Sequence, residues 1–190
     1  MTFLRGPDAF ERRKAVAEIG VLCWLGGSVV QDVLLETQSL DAMVAMLKNH
    51  KESPKVRMEA LKTLSMACRF HRKNQDRLRG LGLVKLLYEY LGADVGRRQN
   101  NLVRKWSAHG LFILLINNAV SQVALFDLDD KHPETHNHVD RKLRDLLCEV
   151  AELDWSAWRH NDALELMEMM DLKPPQNGSP RMSRAAGDGR

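Results

Sequence analysis

Two stretches decide the fold: Val56-Arg57-Met58-Glu59-Ala60-Leu61-Lys62-Thr63-Leu64 and Gly82-Leu83-Val84-Lys85-Leu86-Leu87. In the first, Val56, Ala60, Leu61 and Leu64 recur at three- and four-residue steps and continue to Ala67. That spacing lays one apolar stripe along a helix. Ser53 stands where an N-cap belongs, and Pro54 takes the first helical position, where its missing N–H costs nothing. The second stretch is a glycine turn followed by an apolar helix running to Leu91.

Working outward, the same periodicity predicts helices over about 8–24, 29–36, 39–47, 74–79, 83–91 and 102–118. Asp8 is placed to cap the first, and Gly26-Gly27-Ser28 to stop it. Residues 92–101 read as a polar loop. No window alternates β-branched and polar residues around a hairpin turn. The predicted class is all-α.

The helices repeat. Gln31-Asp32 returns as Gln75-Asp76, 44 residues on, and with that offset Leu34, Leu40, Met43 and Leu47 fall on Leu78, Val84, Leu87 and Leu91. The longer helix repeats with an offset of 47: Val56-Arg57 falls on Val103-Arg104, and Leu64 on Leu111. A period of this length, with three helices to the unit and one of them short, indicates an α-solenoid. No unit buries its apolar face alone, so neighbouring units must stack.

These residues resemble the armadillo repeat family. Gly82 to Leu87, with Leu91 beyond, is similar to the family's turn and second helix, and Val56 to Leu64 to its third helix. The likeness covers about residues 12–120. It implies a right-handed solenoid of about three to four repeats. Residues 1–7 read as a flexible end, 8–120 as the repeats, 121–172 as a divergent final repeat or cap, and 173–190 as a disordered tail rich in Pro, Gly and Arg. The resemblance also implies a groove built on third helices. In peptide-binding members of the family, that groove carries a Trp followed four residues later by an Asn. Trp106 matches the Trp, but Gly110 stands at the Asn position; the preceding repeat has Glu59 and Thr63 there. The amide ladder is therefore missing, and Trp106 alone carries over, either as a groove wall or as packing against a neighbouring repeat.

A net charge of +3 hides a division. Residues 48–105 hold 15 Lys/Arg against 5 Asp/Glu, whereas 127–171 hold 5 against 13. Arg69, Arg72, Lys73, Arg77 and Arg79 gather at one junction between repeats, and Arg97, Arg98, Arg104 and Lys105 around the next loop. Stacked repeats would align them into a basic edge. Three readings follow: solvated charge, a surface for an acidic protein segment, or a weak site for nucleic acid or anionic lipid. The last is disfavoured because aromatics do not interleave with the basic run.

Other chemistry is thinly represented. Cys23, Cys68 and Cys148 are odd in number and widely spaced, which points to free thiols in a reducing compartment, cytoplasmic or nuclear. His132, His136 and His138 stand among aspartates, but Pro133 interrupts the spacing a helical metal site needs, and solvated polar loop is the expected reading. Ser65 or Cys68 with His71 offers a nucleophile and a base close in sequence, without a third group. No nucleotide, hydrolase or metalloprotease motif is present. The apolar run 19–30 is shorter than the roughly 20 residues a membrane helix needs.

The expected function is non-enzymatic and without cofactor: a protein-interaction module binding an acidic segment through Trp106, Arg57, Arg104 and Lys105 on the groove and Arg69, Arg72 and Lys73 on the edge. The alternative is a structural subunit that self-associates, a homo-oligomer.

Overall fold

The computed structural model describes residues 4, 6–92, 98–128 and 136–172. Residues 129–135, with His132, and the tail 173–190 lie outside them, as does Arg97. Among the described residues the order is α1 (Ala9–Glu36), α2 (Ser39–Lys48), α3 (Pro54–Cys68), α4 (Arg72–Gly80), α5 (Leu83–Leu91), α6 (Arg98–Leu115), α7 (Ala119–Phe126), α8 (His136–Ala151) and α9 (Asp162–Met169), with no strand.

The expected break in α1 is present as a kink. Gly27 has φ 52° and ψ −137°, a conformation open to glycine, and divides α1 into the two predicted segments. Asp8 caps its start by accepting from the Phe10 amide at 2.8 Å. By length and composition α1 is nevertheless the one described helix apolar enough to cross a membrane, because the second segment extends the apolar run past residue 30. Two local expectations need correction. Ser53 makes no capping bond; its amide instead donates to Glu52 Oε1 at 2.8 Å. The polar stretch 92–101 ends in helix, since α6 starts at Arg98. Polar residues are ordinary in a helix's first turn, so polarity alone misplaces the boundary.

The longer helices form one row, in which α1 packs along α3, α3 along α6, and α6 along α9. Within residues 121–172, α9, capped by Asn161, packs along α6 in the third-helix place. One core runs the length of the row, with Val16, Ala60, Leu64, Leu111, Leu114 and Leu166 each at most 1% exposed. The first pair of helices approaches closely. A Cβ at Gly20 would lie 2.7 Å from Thr63 Oγ1, whose hydroxyl donates to the Val16 carbonyl at 2.9 Å.

Polar clamps tie the repeats together. Gln31 Nε2 donates to the Met66 and Arg69 carbonyls, both at 3.0 Å. Its repeat equivalent Gln75 donates to the Ile113 carbonyl at 2.9 Å. Each thus ties the short first helix to a carbonyl near the end of its own repeat's third helix, where backbone donors run out. Asn74, fully buried, donates to the carbonyls of Gln31 (3.0 Å) and Ala67 (2.8 Å). Buried Glu52 forms a two-pronged pair with Arg12 at 2.8 and 2.9 Å, which holds its carboxyl below the usual carboxylate range and anchors the start of α1.

Candidate protein-binding groove

The row of third helices leaves a groove. Its α1 part, of about 610 Å³, is lined by Phe10, Arg13, Lys14, Ala17, Glu18, Val21, Leu22 and Glu59. A second part, of about 320 Å³, runs on from the shared residues Arg13 and Glu59 past Lys55, Met58 and Lys62 to Leu102 and Val103. The helical period explains the lining, since Lys55, Met58, Glu59 and Lys62 share one face of α3. Four cations stand along the groove against Glu18 and Glu59, and one of the cations, Lys62, sits 3.7 Å from Glu59.

At the α6 end the groove meets the chain's own C-terminal part. Trp158 lies on Trp106 with ring centroids 4.5 Å apart, and Trp155 stands edge-on to Trp158 at 5.2 Å. Lys105 Nζ donates to the Asp154 carbonyl at 2.7 Å and lies 5.6 and 5.4 Å from the Trp155 and Trp158 centroids. Lys62 covers the Trp106 ring at 5.6 Å. These are cation–π contacts in a partly desolvated cluster. His109 Nδ1 is 3.2 Å from Asp162 Oδ2, a second link between α6 and the acidic end. Trp106 is thus packed between the chain's own Lys62 and Trp158.

The model for the family described as armadillo-like helical domain-containing protein 2 matches residues 8–172. The chain belongs to this family. Curated proteins give no match. Among solved structures, an engineered protein resembles it with a TM-score of 0.52 at 14% identity, over 90% of this chain and 39% of that one. The chain spans about two fifths of that protein's length, and the likeness concerns the fold alone. The armadillo-like helical fold of the family is generally a protein-interaction scaffold and typically non-catalytic.

Within this family fold the predicted site residues separate. Lys105 and Trp106 lie together on α6, against the chain's own 154–158 segment. Arg104 does not face it: the side chain is 1% exposed, Nε donates to the Leu91 carbonyl at 2.7 Å, and a terminal nitrogen meets Glu149 at 2.7 Å. Helical geometry turns it about a hundred degrees away from Lys105. Arg57 is half-buried on the side away from the groove, beside Tyr90, and its Nε is buried without a hydrogen-bond partner. Burial raises the Tyr90 phenol's pKa, with Arg57 opposing.

Arg69, Arg72 and Lys73 are exposed but largely engaged. Arg69 stacks over Trp24 and Phe70, Arg72 pairs with Asp76 at 3.1 Å and donates to the Asn117 carbonyl, and Lys73 stands 3.7 Å from Asp32. Arg77 pairs with Asp41, and Arg79 with Asp76. The sequence reading missed Arg13, Lys14, Lys55 and Lys62. The signal was available in the α3 period, since Lys55 and Lys62 each fall one turn from Glu59, on opposite sides of it along the same face.

Ser65, Cys68 and His71 have structural uses, whereas the side chains of His132, His136 and His138 lie outside the described residues. Ser65 and Cys68 bond carbonyls of their own helix, at Leu61 and Ser65. His71 caps α4 by accepting from the Asn74 amide, and its other nitrogen is 3.2 Å from Asp32. Burial raises the Cys68 thiol's pKa steeply and pushes the Cys23 thiol up to about 11. Among the described residues no His/Cys/Asp/Glu group could hold a metal.

Proposed function

We propose that the protein is a non-enzymatic scaffold module that takes an acidic helical or extended protein segment in the groove along α1, α3 and α6. The observation that carries this reading is a continuous groove whose apolar floor is flanked by Arg13, Lys14, Lys55 and Lys62. Apolar anchors supply affinity, and the cations supply orientation and on-rate. The segment 154–158, seated at the α6 end, supports the class of ligand. It presents Trp158 to Trp106, and two tryptophan rings and the Asp154 backbone carbonyl to Lys105. The buried free thiols Cys23 and Cys68 support a reducing intracellular compartment.

Selection from a random peptide display library tests the reading. Recovered peptides are expected to be rich in Asp and Glu around one or two large apolar residues. Recovery of neutral or basic peptides alone would sink it.

A further inference from the structure

A second surface lies outside the groove. Trp24, Leu25, Val29, Val33 and Phe70 are between 48% and 76% exposed, the first four on either side of the Gly27 kink in α1 and Phe70 at the turn after α3. Arg69 joins them, its guanidinium 5.3 Å from both the Trp24 and the Phe70 ring. Trp, Phe and Arg in one cluster are the residue types that carry interface energy.

Phe70 is the decisive residue. It has φ 57°, in the left-handed region. The corresponding turns of the neighbouring repeats hold Gly27 at 52° and Asn117 at 55°, the two residue types that tolerate it best. A phenylalanine there is strained by about 1 kcal/mol or more, and with 76% of it exposed, burial within the chain does not offset this. Neither local preference nor the core accounts for an aromatic at this position.

We propose that a second copy of this chain covers this face, forming a twofold dimer across α1. The area fits: five residues at these exposures offer roughly 600 Å² a side, or about the 1,200 Å² total at which specific stable interfaces begin. The charge fits too. The rim carries both signs, Arg69 and Lys73 beside Asp32 and Glu36, so two identical faces meet without net repulsion. An anionic membrane would select a uniformly basic rim, which this face does not have. None of the five side chains lines the groove, although Leu25 stands one turn beyond the groove residues Val21 and Leu22.

Sedimentation velocity at about 50 µM, where a micromolar dimer is populated, tests it. The wild-type chain is expected at twice 21.7 kDa, and the Leu25→Glu/Val29→Glu variant at 21.7 kDa. Phe70→Asn separates association from folding. It relieves the left-handed strain, so the monomer keeps or gains heat stability, while dimerisation weakens about tenfold or more. Lys55→Glu/Lys62→Glu should still dimerise. A wild type that stays monomeric, or a Leu25→Glu/Val29→Glu variant that still dimerises, overturns the proposal. So does a monomer that instead co-sediments with phosphatidylserine vesicles through this face.

Discussion

Replacing Arg104 by alanine is expected to lower stability by about 3 kcal/mol, a Tm drop of roughly 6–12 °C for a chain of this size. The argument starts from burial: at 1% exposure, the guanidinium has exchanged water for the Leu91 carbonyl and Glu149. Alanine removes the donor to a carbonyl at the end of α5 and leaves a void between α5, α6 and α8. The ion pair itself contributes less. Glu149 is 54% exposed, so its orphaned carboxylate turns to water. Glu149→Gln keeps an oxygen acceptor for the buried guanidinium but removes its counter-charge, so it should cost less than Arg104→Ala yet more than the roughly 1 kcal/mol of a surface pair. Thermal unfolding of the two variants checks the asymmetry. Equal losses would mean that the charge pair, rather than the buried donor, holds α6 against α5.

The second large effect is expected at Trp158. Its ring lies on Trp106 and reaches Trp155, His109 and Lys105. Trp158→Ala removes the centre of that cluster. Because the site is half-buried, the loss should be about 2 kcal/mol, below the 3–5 typical of a core tryptophan. The near-UV circular dichroism from the coupled indoles should collapse while the far-UV spectrum stays helical. The uncovered Trp106 should then bind an acidic aromatic peptide more tightly than in the wild type, because the chain's own segment no longer competes. Unchanged near-UV intensity would show that 154–158 does not rest on α6.

The repeat architecture was legible because its cause is local. Apolar spacing and glycine turns lie within single helices, and offsets of 44 and 47 residues bring them into register. Gln31 and Gln75 were visible as markers of the repeat, but their role was not. Their acceptors are the Met66 and Ile113 carbonyls, 35 and 38 residues away. The basic edge was read from charge density alone, which does not distinguish a solvated lysine from a buried arginine. Arg104 therefore looked like a groove residue, although its partners lie across α5 and α8. The basic segment 48–105 and the acidic segment 127–171 do meet, through the Arg104–Glu149 pair and the bond from Lys105 to the Asp154 carbonyl, with His109–Asp162 beside them. That contact occupies the α6 end and leaves the α1–α3 part of the groove open.

That open part is the central claim. Its most direct measurement is a fluorescence-anisotropy titration of a labelled acidic peptide recovered from the library against the wild type and Lys55→Glu/Lys62→Glu. Reversing two groove charges should weaken binding at least about tenfold, while Val120→Glu, outside the groove, leaves it unchanged. Equal affinity for the wild type and the double variant would contradict the claim and place the peptide elsewhere on the solenoid.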